Sequence, residues 1–121
     1  MLTREDIFKH VKENYDTVPD YPFKKFPNYA VLRHKSNGKW YGLLMNVLLK
    51  QLGLDGNEKV DILNLKCPPE LIGSFRNGRY ILPAYHMDKE HWIILILKRI
   101  DPNLEEIYNL IEQSFNLTKK S

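Results

Sequence analysis

The sequence predicts an α+β fold in which helices pack on one main face of a five-stranded antiparallel sheet. Apolar residues recur at helical spacing near both ends of the chain, whereas apolar and polar residues alternate in the segments between them. An Asn-Gly pair, Asn37 and Gly38, joins two alternating segments, and strands joined by short turns are antiparallel. We expect one domain over residues 1–121, in the order helix, three strands, helix, two strands, helix.

The first helix is predicted to begin after Thr3 and to end before Val18. Thr3 is a capping residue, and Asp6 three positions later suits a capping box. Val18 precedes a proline, which disfavours helical backbone. The next segment, residues 20–27, which we call the strap, is rich in proline and aromatic residues. We expect it to be extended, with its aromatic side chains packed against an edge of the core.

A β-hairpin is predicted from strands over residues 29–35 and 40–47. In its Asn-Gly turn, both central residues are expected to have positive φ. The second strand is apolar on both faces, which suits a central strand, and a helix over residues 43–52 is the alternative because short apolar runs do not reveal their period.

The remaining elements follow from alternation and from prolines. Residues 60–66 alternate as a third strand, and two prolines open a short helix that Gly78 ends. Strands are predicted over residues 80–82 and 91–98, and Asp101 and Pro102 begin the last helix. Its expected buried stripe consists of Leu104, Ile107, Tyr108, Ile111 and Phe115.

Composition and charge exclude several classes of protein. Cys67 is the only cysteine, so a disulfide framework within the chain is impossible, and we expect Cys67 to be a buried apolar residue. The charged first residues do not form a signal peptide and no apolar run can span a membrane, so a cytoplasmic protein without a membrane partner is expected. The net charge is +3, yet residues 21–54 contain no acid. Their basic residues are Lys24, Lys25, Arg33, Lys35, Lys39 and Lys50.

Catalytic and metal chemistry find little support in the sequence. No phosphate-binding glycine loop or nucleophile elbow is present. His86 and His91 flank a four-residue connection, but a metal needs a third ligand, from His34, Cys67, His10 or an acid. Lys89 between the two histidines opposes a cation. We expect no catalytic residue, no metal and no cofactor.

Residues 83–92 read Pro-Ala-Tyr-His-Met-Asp-Lys-Glu-His-Trp and resemble the signature segment of the MmcQ/YjbR family of small bacterial proteins. The strap, residues 64–67 and residues 110–115 are similar to other landmarks of that family. Asp88 stands where asparagine is more usual. The resemblance implies a fold like that of secretion chaperones, in the element order given above. It also implies DNA binding through paired β wings, and it brings no catalytic residues.

Two functions are therefore expected as alternatives, both non-catalytic and both for a monomer. In the first, the hairpin over residues 29–48 binds double-stranded DNA through basic side chains, and Trp40 or Tyr41 stacks or wedges. Its candidate residues are Lys24, Lys25, Arg33, Lys35, Lys39 and Trp40. In the second, an adaptor binds a protein or a small anion in a polar, aromatic pocket. Its candidate residues are Lys66, Arg79, Tyr85, His86, Lys89 and His91.

Overall fold

The computed structural model of the chain describes residues 2–75, 80–85, 87–100 and 104–119. The strands are β1 (Ala30–Arg33), β2 (Trp40–Leu48), β3 (Lys59–Lys66), β4 (Ile81–Pro83) and β5 (Trp92–Ile96). The helices are α1 (Arg4–Tyr15), α2 (Ile72–Phe75) and α3 (Leu104–Lys119). All paired strands are antiparallel, in the sheet order β1-β2-β3-β5-β4. The predicted fold class and element order are confirmed.

Helix α1 begins as the sequence predicts. The Thr3 hydroxyl accepts a hydrogen bond from the Asp6 amide, while the Asp6 carboxylate accepts one from the Thr3 amide. Asp16, in the left-handed region at φ 54°, ends the helix. Ile7 and Val11 point inward and are fully buried.

Apolar clusters form on both faces of the sheet. The cluster on one face includes side chains of α1 and α3, as predicted. The cluster on the opposite face is covered by the strap, by loops and by the 3-10 helix Leu49–Leu52, and none of the described α-helices lies on it, so we call this the helix-free face. The side chains that cover it are partly buried, and they include Phe23, Tyr29, Trp40, Tyr85 and Trp92. Within the described ranges, no helix is long and apolar enough to cross a lipid bilayer.

A β-bulge at Tyr41 changes which face the start of β2 presents. Leu32 pairs with Gly42 and Arg33 with Trp40, so Tyr41 has no partner residue on β1. Its ring therefore joins the helix side, where it is fully buried and its hydroxyl donates to Thr17. Burial is the main cause that raises the pKa of Tyr41 to about 12.

The structure corrects three details of the sequence reading. Gly38 alone has positive φ in the hairpin turn, because the loop closes through hydrogen bonds from the Gly38 amide to His34 and from the His34 amide to Lys39. The helix alternative for residues 43–52 is wrong over most of its length, since β2 runs to Leu48 and only Leu49–Leu52 form a 3-10 helix. Strand β5 ends at Ile96, and Leu97–Arg99 form another 3-10 turn. The predicted stop at Gly78 and the predicted start at Asp101 and Pro102 lie outside the described residues.

Candidate nucleic-acid interface

The strap is built from a tight turn that projects two lysines. The Phe26 amide donates to the Phe23 carbonyl at 3.1 Å, which places Lys24 and Lys25 at the two corners of a β-turn. Both lysines are exposed, and neither forms an ion pair or a hydrogen bond with any described residue. Because Pro22 and Pro27 flank the turn, its backbone is stiff.

Two contacts fix the strap to the rest of the domain. Asp20 pairs with Val31 through two backbone hydrogen bonds of 3.0 and 2.7 Å, so the strap covers the outer edge of β1. Just after the strap, the Arg4 side chain donates to the Asn28 carbonyl at 2.7 Å. The turn with the two lysines is therefore held at both ends.

Aromatic side chains form a row beside the turn on the helix-free face. Phe26 stacks on Tyr29, with ring centroids 4.7 Å apart. Phe23 lies edge-on to Tyr29 and to Trp40, at 6.1 and 5.9 Å. The strap was expected to bury its aromatic residues, and this is correct only for Phe23. Tyr21 and Phe26 are 52% and 50% exposed, and this pair was missed because a proline-rich segment has no periodicity that assigns its side chains to a face.

The basic residues predicted on the hairpin already have intramolecular partners. Arg33 donates to the Asp20 carboxylate at 2.8 Å and lies over the Trp40 ring at 5.6 Å. Lys35 binds the Asp16 carboxylate. Hydrogen bonds from Lys12 and then Lys35 are the main causes that lower the pKa of Asp16 to about 2. Lys39 is exposed next to the start of β2.

The hairpin tip contacts the end of α3 through Asn37, which is half-buried. The Asn37 amide donates to the carbonyls of Thr118 and Lys119, at 3.3 and 3.1 Å. His34, one of the residues named above as a metal ligand candidate, is buried. Its Nε2 lies 2.7 Å from the Thr118 hydroxyl. Burial lowers the pKa of His34. The tip is thus bound to the domain and does not project as a free wing.

The residues predicted to form a pocket are only partly brought together. Tyr85 and Lys89 line a cleft of about 230 Å³, together with Gln51, Leu52, Pro83 and Ala84. The Gln51 amide donates to the Tyr85 hydroxyl at 3.2 Å. Tyr85 also contributes to the raised pKa of Tyr29, after burial, so the cleft lies close to the aromatic row.

The other predicted pocket residues lie elsewhere or are not described. The His91 ring turns to Asp88, with Nδ1 2.6 Å from the carboxylate, and His91 does not line the cleft. Lys66 is half-buried at the end of β3. After the hydrogen bonds from Glu90 and His91, the positive charge of Lys66 makes a small contribution to the lowered pKa of Asp88. Arg79 and His86 lie outside the described residues.

Three side chains that could bind a metal ion lie together in the turn over residues 88–91. Ligand atoms of Asp88, Glu90 and His91 lie within 4.8 Å of one another. Hydrogen bonds from the Glu90 amide and then from His91 lower the pKa of Asp88. These are the contacts of a tight turn, and they account for the arrangement.

The chain matches the model of a known protein family over most of its length. The model of the YjbR family matches residues 13–117. The chain belongs to the YjbR family. A relative in Bacillus subtilis (strain 168), the protein YyaQ, is 71% identical over 119 residues, which cover 98% of this chain and all of that protein.

Solved structures share the same YjbR-type fold. A crystal structure of a Pseudomonas syringae protein superposes with a TM-score of 0.92 at 47% identity, and the match covers 97% of this chain and 99% of that one. A Deinococcus radiodurans protein with a DUF419 domain superposes with a TM-score of 0.73 at 25% identity, over 100% of this chain and 81% of that one. These matches confirm the predicted family and the α+β fold.

Proposed function

We propose that this YjbR-family protein binds nucleic acid through the strap and the adjoining start of β2. The observation that carries the proposal is the pair of lysines at the corners of the strap turn. Lys24 and Lys25 are exposed, have no partner among the described residues and lie in a stretch, residues 21–54, that contains no acid. A lysine of this kind is ready to contact a phosphate, because it releases no carboxylate when it binds.

The hairpin cations contribute less in this proposal than the sequence alone suggested. Arg33 and Lys35 are each bonded to a carboxylate, those of Asp20 and Asp16, so a phosphate must compete with an existing ion pair. Exposed ion pairs are weak, so a phosphate can displace the carboxylate from either residue, but the two carboxylates offset most of the long-range positive charge of Arg33 and Lys35. Trp40, held under Arg33, borders the same surface.

The test is fluorescence anisotropy with labelled DNA at about 50 and about 200 mM salt. The logarithm of affinity falls with the logarithm of salt by about 0.9 per contacted phosphate on duplex DNA and about 0.7 on single strands. Replacing both strap lysines, Lys24→Gln with Lys25→Gln, is expected to reduce that slope by about 1.8 or about 1.4, respectively, and to weaken binding at low salt.

Two control variants locate the effect. Lys9→Gln with Lys59→Gln removes the same charge from α1 and from the start of β3, where neither lysine has an ion-pair partner among the described residues, and is expected to leave the slope nearly unchanged. Lys35→Gln with Lys39→Gln tests the hairpin. If this hairpin pair reduces the slope more than the strap pair, the interface is the hairpin and the proposal is wrong. Absence of binding at low salt also refutes it.

A second candidate function rests on the cleft lined by Tyr85 and Lys89. Its polar groups, the Gln51 amide, the Tyr85 hydroxyl and the exposed Lys89 ammonium, stand beside apolar walls, an arrangement that suits a small anion. Titration of the ¹⁵N-labelled protein with inorganic phosphate tests it. Saturable shifts at Gln51 and Tyr85 that disappear in Lys89→Gln support an anion site, and their absence at millimolar phosphate contradicts it.

A further inference from the structure

Phosphate binding by Lys24 and Lys25 gives no role to the exposed aromatic residues of the strap. Tyr21 and Phe26 are 52% and 50% exposed, on a segment that the pairing with β1 and the contact with Arg4 hold in place. Phe26 stacks on Tyr29 and is nevertheless half exposed, so part of its ring stays accessible to solvent. Side chains of this kind are what unpaired bases stack on.

The turn places the Phe26 ring next to the two lysines in the chain, and Tyr21 lies two residues before the turn. The hydrogen bond between Phe26 and Phe23 brings the two ends of the turn within about 7 Å, with Lys24 and Lys25 between them. A chain of nucleotides that crosses the strap therefore meets a ring and a cation within the span of one turn. The backbone anchors on β1 and Arg4 fix this arrangement before binding, which lowers the entropy lost on association.

The same structure is poorly suited to an intact duplex. The hairpin tip is bound to the end of α3 through Asn37 and is not free to enter a groove. The outer side of α3 carries exposed acids, including Glu105, Glu106 and Glu112, so it is not a basic recognition helix. In a duplex, moreover, the bases are already stacked and paired, so exposed rings gain nothing from it unless a base step is opened.

We infer that the strap binds single-stranded nucleic acid in preference to duplex, with an unpaired base stacked on Phe26, a second on Tyr21, and the intervening phosphates on Lys24 and Lys25. The inference rests on the proposed function, and it specifies the partner of the same surface. Alanine substitution of a stacking residue is expected to weaken single-strand binding by roughly 5- to 150-fold. Phe26→Trp should retain the binding, because it keeps a ring for stacking.

The experiment compares labelled oligonucleotides of about 12 nucleotides, single-stranded and as the duplex of the same sequence, at about 50 mM salt. The proteins are the wild type, Phe26→Ala, Phe26→Trp and Tyr21→Ala, each checked by urea unfolding. The inference predicts at least tenfold tighter binding of the single strand. It also predicts that the alanine variants lose single-strand affinity while duplex affinity changes little.

Each other outcome has a defined meaning. Duplex binding that equals or exceeds single-strand binding overturns the inference and leaves the proposed function standing. Unchanged single-strand affinity in both alanine variants also overturns it, because the contact is then purely electrostatic. If neither oligonucleotide binds at low salt, both the inference and the proposed function are wrong. If Phe26→Ala proves unfolded, Tyr21→Ala decides alone, because Tyr21 lies outside both apolar clusters.

Discussion

Replacing Asn37 by alanine tests whether the hairpin tip is bound to α3. The Asn37 side chain makes three hydrogen bonds: its amide donates to the carbonyls of Thr118 and Lys119, and its oxygen accepts from the Lys39 amide at 2.8 Å. The two carbonyls belong to the last described turn of α3. Asn37 therefore joins the hairpin tip to a helix that is distant in sequence.

The size of the effect follows from these bonds. A net hydrogen bond contributes about 0.5–1.5 kcal/mol, and the lower end applies here because Asn37 is partly exposed and water can replace it. Loss of three such bonds gives a decrease of about 1–2 kcal/mol in the free energy of unfolding. Ser36→Ala is the matched control, since Ser36 is an exposed residue of the same turn without a hydrogen bond to any described residue.

The assay is equilibrium urea unfolding of both variants and the wild type, followed by tryptophan fluorescence. Asn37→Ala should lower the midpoint at an unchanged slope, whereas Ser36→Ala should stay within about 0.5 kcal/mol of the wild type. If the two variants are equally stable, the tip is not held by α3 in solution. The tip would then be free to act as a wing.

Three further predictions concern the core and two histidines, His10 and His34. Gly42→Ala should lower the free energy of unfolding by about 1–3 kcal/mol in urea, because a Cβ there would lie 2.8 Å from the Leu32 side chain. If Gly42→Ala lowers the stability of the wild type and of the Leu32→Ala variant equally, this steric explanation is wrong. Tyr41→Phe should lower the free energy of unfolding by about 1–2 kcal/mol in urea, because it leaves the buried Thr17 hydroxyl without the hydrogen bond from Tyr41. An unchanged urea midpoint would show that this hydrogen bond contributes nothing to stability. Burial lowers the pKa of His10 and of His34 below 6.5 in the folded protein. As the pH falls, the unfolded state therefore takes up protons at a higher pH than the folded state does, and the free energy of unfolding should decrease below about pH 6.5. Urea midpoints that stay constant between about pH 7 and about pH 5, or that rise, would contradict this sign.

Local patterns in the sequence predicted most of the fold. The capping box of α1 and the alternation in β3 depend on neighbouring residues, and both are present in the structure. The sheet could be predicted as antiparallel because an Asn-Gly turn joins its first two strands. The bulge at Tyr41 could not be predicted, because a shift of one residue depends on how β1 and β2 pair and leaves no sign in the alternation.

The candidate site was predictable only in part, for a physical reason. The sequence identified Lys24, Lys25 and the acid-free stretch, since charge is a property of composition. It could not show that Arg33 and Lys35 have carboxylate partners, because those partners are 13 and 19 residues away and are brought close by the fold. Nor could it show that Asn37 reaches a carbonyl 81 residues away.

The central claim is that the strap, and not the hairpin tip or the helices, contacts nucleic acid. The most direct measurement is an NMR titration of the ¹⁵N-labelled protein with a single-stranded oligonucleotide, followed through the backbone amides and the Trp40 indole. The account predicts that the largest shifts fall on Tyr21, Lys24, Lys25 and Phe26, with a smaller shift of the Trp40 indole. Shifts centred on Asn37 and Gly38 or on the exposed face of α3, with the strap unchanged, would contradict it.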